Sequence, residues 1–521
     1  MRRTRVRFAP SPTGPLHIGG VRTALYNYLY AKQQGGDFIL RIEDTDSQRF
    51  VPKAESYIIE ALTWCGIVPD EGVEDGKIVE HTHGKHNFAP YRQSQRKDIY
   101  RKYAEELIEK GFAYYAFDTQ ESLEAKRREA EAAGAVFIYN YLVRGEMDTS
   151  LSLSKEEAKR RVAENSQWVI RFKIPEQRIV KMTDVVRGDI EVNSSTLDDK
   201  VLWKAADSLP TYHLANVVDD KLMEISDVIR GEEWLPSLPL HYLLYEAFGW
   251  SEIRPNFAHL PLLLKPDGGG KLSKRDGERL GFPVFPLEWR GPDGEISRGY
   301  REEGYFPEAF INMLAFLGWN PGTEQELFSL EELAEAFSLD RVVKSGARFN
   351  PEKARWYNQE YMRTKSTSNL AEAFTPILAS KGVCRDEEYI SDVLELIRER
   401  AVLLTELWPL SDYLFVAPAT YNQTIVEKFW KEDTPAVLAQ IITFLRKMEP
   451  FTKEELEKKL PSYIKESGWQ MGVVMNTIRL AIVGDSKGPG VAEILSLIGK
   501  EESIKRVEYL IFSKSISSDN S

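Results

Sequence analysis

The sequence predicts an α/β core built from β-α-β units, an α/β module inserted within it, and an all-α region that completes the chain. Three observations carry this reading. The first is a strand-turn-helix-strand word. Val6-Arg-Phe-Ala9 is a short apolar run. From Val21 the apolar residues fall at Val21, Ala24, Leu25, Tyr28 and Leu29, the i, i+3, i+4, i+7, i+8 spacing of an amphipathic helix. Gly35-Gly36 closes that helix as a C-cap does, and Phe38-Ile-Leu-Arg-Ile42 reads as a second buried strand. The second observation lies in residues 111–210, where two charged helices (121–134 and 154–165) and an alternating strand (168–174) interrupt the pattern. The third is the almost wholly helical pattern from about 331 onward, with no sustained strand alternation.

Bulk composition narrows the class. A chain of 521 residues exceeds one core, so three to five modules are expected. Hydrophobic residues at 42% and charged residues at 28% are ordinary for a soluble globular protein. The net charge of −12 does not advertise a nucleic-acid partner, so any RNA contact must use local basic patches. Two cysteines, Cys65 and Cys384, far apart in sequence, exclude a disulfide framework and a cysteine zinc site, which fits a reducing cytoplasm. Met1-Arg-Arg-Thr-Arg5 is basic, but no apolar segment follows it as in a signal peptide, and no run approaches membrane-span length. The expectation is a cytoplasmic protein with no membrane partner.

The turn of the first unit is Ser11-Pro-Thr-Gly-Pro-Leu-His-Ile-Gly-Gly20. A strand-to-helix turn binds phosphate well because free backbone N–H groups and the helix dipole point at the ligand. Gly14, Gly19 and Gly20 permit close approach, while Pro12 and Pro15 stiffen the path. The turn is neither GxGxxG nor GxxxxGK[ST]; it offers His17 instead. Taken alone, a glycine-rich turn with a solvated histidine is as good a reading. A second word, Lys271-Leu-Ser-Lys-Arg275, follows the flexible Asp267-Gly-Gly-Gly270. Its cations suit a polyphosphate whose charge rises in a transition state, although such a cluster alone is more often an ordinary basic loop.

Together, His17-Ile-Gly-Gly20 and Lys271-Leu-Ser-Lys-Arg275 resemble the HIGH and KMSKS signatures of class I aminoacyl-tRNA synthetases. Arg7-Phe-Ala-Pro-Ser-Pro-Thr-Gly14, Arg41-Ile-Glu-Asp-Thr-Asp46, Tyr212-His-Leu-Ala-Asn-Val-Val-Asp-Asp220 and Asp227-Val-Ile-Arg-Gly-Glu-Glu-Trp234 are similar to the bacterial glutamyl-tRNA synthetase family. The resemblance runs nearly the whole chain. It implies a Rossmann-like catalytic domain in two halves, 1–110 with the HIGH-like turn and 211–330 with the KMSKS-like loop. It places a connective, acceptor-binding insertion at 111–210 and an α-helical anticodon-binding region at 331–521. The implied reaction activates L-glutamate with ATP to glutamyl adenylate, then transfers it to the 3′-terminal adenosine of tRNA(Glu). Mg²⁺ is expected to accompany ATP, held mainly through phosphates. The family also implies a monomer.

The roles come with the family. His17, Lys271 and Lys274 are implied as catalytic. Ser11, Thr13, Gly14, Gly19, Gly20 and Ser273 join them around ATP, with Glu233, Trp234 and Leu264 near the adenosine. Arg7, Ala9, Ser11, Glu43, Tyr212, Asn216 and Arg230 are the glutamate set, Arg230 taking the side-chain carboxylate and Glu43 facing the ammonium. Gly20 stands where the signature's second histidine would, which removes one donor. Residues 341–365 hold seven basic residues against two acids, with Phe349, Trp356, Tyr357 and Tyr361 among them. That mixture suits phosphate neutralisation with base stacking, and Arg348, Lys353, Arg355 and Trp356 are the tRNA candidates.

Smaller readings complete the chain. Asp44 and Asp46 are expected to shape a turn and cap a helix beginning near Pro52. His81, His83 and His86 have Gly84, Lys85 and Asn87 as neighbours and no cysteine, so a flexible surface loop is expected there rather than a metal site. Some members of the family carry a zinc knuckle after the helix at 97–110; Gly111-Phe-Ala-Tyr-Tyr-Ala116 has no cysteine, so no structural zinc is expected. Residues 212–218 read as a strand ending in Asp219-Asp220, and 225–230 as another with Arg230 at its carboxyl end. The segment 281–304 departs from the family, and Trp289-Arg-Gly-Pro-Asp-Gly-Glu-Ile296 suggests a small hairpin. Residues 513–521 read as disordered. A glutaminyl enzyme would end in β-barrels, a small-molecule nucleotidyltransferase would lack the large helical appendage, and a non-catalytic paralogue would not need intact His17 and Lys271-Leu-Ser-Lys-Arg275.

Overall fold

β1 (Arg5–Phe8) is buried on both faces, as a central strand of a parallel sheet must be. α1 (Ile18–Gln33) carries the chain back, and β2 (Asp37–Leu40) lies parallel to β1 with Val6 opposite Phe38 and Phe8 opposite Leu40. The first unit is therefore the β-α-β crossover that the spacing predicts. These elements come from a computed structural model that describes residues 2–46, 49–164, 167–291 and 294–518. The ladder runs on past β2: Arg41 N–H donates to the Phe8 carbonyl and Glu43 N–H to the Pro10 carbonyl, each at 3.0 Å. That extension delivers Glu43 to the carboxyl edge of the sheet. A second parallel pair, Asp227–Gly231 with Asn256–Leu260, sets Arg230 opposite His259. Ser226 N–H donates to the Arg5 carbonyl at 2.9 Å and ties the second pair to the first.

The inserted module is a four-stranded antiparallel sheet. Its order is Leu209–Pro210, Val201–Lys204, Val169–Phe172, Ala113–Ala116. Tyr114, Ala116, Tyr139 and Met147 form a small core beneath it. Helices Gln120–Ala132 and Lys155–Glu164 are mostly solvated, as their charge predicts; Asn165, at the end of the second expected helix, lies outside the described residues. The hairpin expected near 289–296 is present as Trp289–Arg290 paired with Ile296–Ser297, although Pro292 and Asp293 of its turn lie outside the described residues.

Three local readings are corrected. Residues 212–218 form no strand but open the helix Tyr212–Leu222. Leu214 through Asp220 are all buried, and a short run buried on every side carries no period that separates helix from strand. Neither Asp44 nor Asp46 caps the next helix. That helix is Ala54–Trp64, entered through Lys53 at φ 68° without a side-chain cap. Asp44 instead accepts from Ser94 N–H (2.8 Å) and Oγ–H (2.7 Å), and Asp46 pairs with Arg49. Finally, the terminal helix Lys500–Ser518 continues through residues read as disordered; 519–521 lie outside the described residues.

The chain falls into two compact units, Met1–Glu302 with Pro307–Ala354, and Glu303–Phe306 with Arg355–Ser521. Residues 331–354 thus lie with the α/β unit, where Ala347–Arg348 pairs in parallel with Leu263–Leu264. The second unit is helical, from Thr367–Ser380 to Lys500–Ser518. Arg506 is buried in it and donates to the carbonyls of Tyr413 and Ile482. Among the described residues, no helix is long and apolar enough to cross a membrane.

Gly72 beside β2 has φ +102°, and a Cβ there would lie 2.0 Å from the Leu40 carbonyl oxygen. Gly76 has φ +72° with nothing within 4 Å. Gly72→Ala should therefore lower the stability of the α/β unit by about 2–3 kcal/mol, and Gly76→Ala by about 1 kcal/mol, read as shifts in urea midpoint. Equal shifts would contradict the close approach at Gly72.

Candidate active site

The carboxyl edge of the sheet opens into a cleft of about 460 Å³. Beneath it lies a buried charge network. Asp220 takes both Nε (3.0 Å) and a terminal nitrogen (3.2 Å) of Arg7, together with a terminal nitrogen of Arg41 (2.9 Å). Arg41 also reaches Glu43 at 3.1 Å. Its neighbour Asp219 accepts from Arg96, Gln93 and Tyr100 at 2.7–2.9 Å. Burial pushes Asp220 up, but Arg7 and Arg41 outweigh it and hold its carboxyl below the usual range. Glu43 goes the other way: burial raises it despite Arg41 and Arg7. Arg7 lines the cleft as expected, but its fork is already taken by Asp220.

Across the cleft, Arg230 is held by a buried relay. Its Nε donates to His259 Nε2 at 3.0 Å, which places the His259 proton on Nδ1, and Nδ1–H donates to Asp184 at 2.6 Å. A terminal nitrogen of Arg230 donates to the Tyr212 hydroxyl at 2.8 Å, and Tyr212 stacks on Trp234 at 4.2 Å. Because 212–222 is helical, Tyr212, Asn216 and Asp220 follow at i, i+4 and i+8 on one face. Asn216 Nδ2 donates to Glu43 at 3.2 Å, while Asn216 Oδ1 is buried without a hydrogen-bond partner. Glu43 and Asn216 thus offer acceptors opposite the Arg230 cation.

The nucleotide turn differs from expectation in one respect. The first amide groups of α1 are not free. Ile18 N–H donates to the Val284 carbonyl, Gly19 N–H to His17 Nδ1, and Gly20 and Val21 N–H to the His17 carbonyl. Accepting at Nδ1 places the His17 proton on Nε2, which is buried, unpartnered and in the cleft lining. Burial, reinforced by the ammonium groups of Lys274 and Lys271, lowers the His17 pKa to about 4. A Cβ on Gly20 would lie 2.6 Å from Leu16 Cδ1, so a second histidine would meet packed side chains there. Lys274 lines the cleft and reaches over the turn, 3.2 Å from where a Gly14 Cβ would stand.

Ala9, Ser11, Thr13, Glu233 and Trp234 line the same cleft. Lys271, Ser273 and Leu264 do not. Lys271 pairs with Glu233 at 3.2 Å, Ser273 donates to Asp276, and Leu264 lies beneath the loop opposite Lys271. The segment after the loop packs on the turn: besides the Val284 carbonyl, Phe285 sets its ring edge-on to His17, and the Leu287 carbonyl accepts from Tyr57 at 2.6 Å. Among the tRNA candidates, Arg348 and Arg355 are exposed, Lys353 pairs with Glu326 and Arg355 with Glu406. Trp356 is half-buried, whereas Phe349 and Tyr357 belong to the cores.

Sequence reasoning missed Asp184, His259 and Arg49. His259 stands alone in an apolar strand, and Asp184 ends the strand Ile179–Asp184 of the inserted region. Only the pairing of Arg230 with His259 across the sheet links them. Arg49 lines the cleft from the turn after β2, where it reads as an ordinary surface charge.

A family model described as tRNA synthetases class I (E and Q), catalytic domain, matches residues 3–356, and one described as Anticodon binding domain matches residues 369–511. With the sheet, the turn and the lysine loop in these places, the chain belongs to the class I aminoacyl-tRNA synthetases of the glutamate and glutamine group. Glutamate–tRNA ligases of Porphyromonas gingivalis and Flavobacterium psychrophilum are 54% and 55% identical to it, each alignment covering 98% of this chain and 99% of the relative. A glutamate tRNA ligase from Elizabethkingia meningosepticum, solved in complex with its amino acid, superposes with a TM-score of 0.90 at 48% identity, over 98% of this chain and 99% of that one. A glutamate-tRNA synthetase from Elizabethkingia anophelis gives 0.87 at 48% identity. Within its class, the chain is a member of the glutamate–tRNA ligase family.

The lowered His17 pKa has a signed consequence. Between pH 6.5 and about 4 the unfolded chain binds a proton that folded His17 refuses, so this residue's contribution to stability falls as pH drops through that window. NMR titration of the imidazole should show His17 neutral, with the proton on Nε2, from pH 8 to near pH 5. A midpoint near 6.5 would contradict the buried, neutral imidazole.

Proposed function

We propose that the chain activates L-glutamate with ATP and transfers it to the 3′-terminal adenosine of tRNA(Glu). The observation that carries this reading is the polarity of one cleft: a relay-held guanidinium faces buried acceptors, and the histidine turn with Lys274 lies in the same lining. Arg230 takes the side-chain carboxylate in charge-assisted bonds. Glu43 and the unpartnered Asn216 Oδ1 take the ammonium. That leaves the α-carboxylate free to attack the α-phosphorus of ATP in line. The bond to the β-phosphate oxygen breaks, and pyrophosphate leaves.

His17 Nε2–H donates to a phosphate oxygen as neutral imidazole, and Lys274 neutralises the departing charge; positioning and electrostatics supply most of the acceleration. Lys265 and Lys271 are tied to Asp276 and Glu233, whereas Lys274 has no acidic partner among the described residues. Lys271 joins once Glu233 releases it. The ribose 2′-hydroxyl of the terminal adenosine then attacks the activated carbonyl, and AMP leaves.

Glu43 is engaged by Arg41 and Asn216, and Glu233 by Lys271, so the cleft offers Mg²⁺ no carboxylate cage. Magnesium would enter bound to the phosphates, supplying charge neutralisation there. The helical unit, which includes the residues matched by the anticodon-binding model, carries tRNA selection in this reading; Arg348 and Lys353 of the α/β unit, with Arg355 and Trp356 where the helical unit begins, are the first candidates for tRNA contact. The protein acts as a monomer in the cytoplasm.

ATP–pyrophosphate exchange with glutamate or glutamine, with and without tRNA, tests the reading. Glutamate should be preferred by at least one to two orders of magnitude, because an amide NH₂ against a guanidinium leaves donors unpaired at about 1–3 kcal/mol. Arg230→Gln should cut kcat/KM for glutamate steeply and narrow the gap, and Arg230→Lys should restore little. A variant that keeps the wild-type preference would remove Arg230 as the discriminating residue. Lys274→Ala should slow exchange far more than it weakens tRNA affinity; an unchanged exchange rate would sink its assignment.

A further inference from the structure

The loop after the first β-α-β unit carries a cluster that adenylate formation does not use. The short antiparallel pair Val73–Glu74 and Lys77–Ile78, with the turn that follows, brings Glu74, His83 and His86 together. One ligand atom from each lies within 4.8 Å of the others. None of the three lines the cleft.

His83 sits between two acceptors: its Nε2 is 2.6 Å from a Glu74 carboxylate oxygen, and its Nδ1 is 2.9 Å from the His81 carbonyl. Both ring nitrogens of His83 thus face an oxygen atom, a carboxylate oxygen at Nε2 and a carbonyl oxygen at Nδ1. The Nδ1–H bond to a carbonyl is the outer contact that orients a metal-bound imidazole, so a metal ion can replace the Nε2 proton and keep that bond. His86 is 2% exposed, and its Nε2 is buried with no hydrogen-bond partner. An unpaired buried nitrogen costs free energy that a metal bond would recover.

We propose that Glu74, His83 and His86 bind one divalent transition-metal cation of the Zn²⁺ type, at a site separate from the cleft. Two imidazoles and one carboxylate suit a borderline cation and not an oxygen-seeking one such as Mg²⁺. In a tetrahedral site ligand atoms stand about 3.3–3.5 Å apart. Glu74 and His83 open slightly and His86 closes, with a water in the fourth place. Metal at His86 Nε2 moves that ring's proton to Nδ1, so the 3.3 Å contact from Gly72 N–H is lost; it is long for a hydrogen bond and the least costly to give up. Half-exposed Glu74 and His83 leave the entry open. The absence of knuckle cysteines does not bear on this site, and Glu74 is too far from His83 in sequence for spacing to reveal it. The ion would pin the hairpin to the turn ahead of Tyr91, whose hydroxyl donates to Glu71, the partner of Arg5 in β1.

The test is calorimetric titration of ZnCl₂ into chelator-treated full-length protein, with elemental analysis of the product. Wild type should take one equivalent. Glu74→Gln and His83→Ala, both at the exposed rim where folding is spared, should each weaken binding about tenfold or more, and His86→Gln likewise. Zn²⁺ should raise the Tm of wild type and not of His83→Ala, while ATP–pyrophosphate exchange stays the same in both. No saturable uptake, or uptake unchanged in Glu74→Gln and His83→Ala, would overturn the site.

Discussion

Asp219 and Asp220, adjacent on one helix, bind together segments that are far apart in the chain. Arg7 comes from β1, Arg41 from just beyond β2, and Arg96 from the start of the helix Lys97–Glu109. Successive helical residues point about 100° apart, so Asp220 faces the sheet while Asp219 faces Gln93, Arg96 and Tyr100. With Glu43 included, three carboxylates meet three guanidinium groups in a region where an unpaired charge would cost several kcal/mol. Each charge is tolerable only because the others are present. The helix, the sheet and the 91–100 segment must therefore dock in one register.

That register sets the electrostatics of the cleft. Arg7 is engaged from below by both oxygens of Asp220, whereas Arg230 in the cleft lining bonds His259 and the Tyr212 hydroxyl. Arg230 is in turn fixed by His259 and Asp184, which orient its fork without adding charge to the cleft itself. Glu43 shares Arg41 with Asp220 and sits dry enough for its pKa to rise. One cleft lining therefore carries a carboxylate and a guanidinium, Glu43 and Arg230.

The nucleotide end works by a different division of labour than a bare helix N-terminus. Val284 and the His17 cap use the amides that would otherwise meet phosphate. His17 Nε2–H and the Lys274 ammonium are the side-chain donors beside this turn in the cleft lining. The segment after the lysine loop is part of this arrangement: it supplies the Val284 acceptor and the Phe285 edge that packs on His17.

The sequence by itself determined the β-α-β unit, the turn and the lysine loop, because apolar periods of two and 3.6 and glycine placement are local properties of the chain. It also placed Glu43 and Arg230 at strand ends, the edge where such sheets bind ligands. The tertiary structure alone decided the rest. Whether 212–222 is helix or strand depends on what surrounds a run buried on every side. Whether Arg7 is tied up by a carboxylate depends on Asp220, a partner more than two hundred residues away. The His259–Asp184 relay exists only through strand pairing, and Glu74 reaches His83 and His86 only because a two-residue hairpin folds back. Charge compensation and hydrogen-bond partnership are properties of distances in space, and no local pattern encodes them.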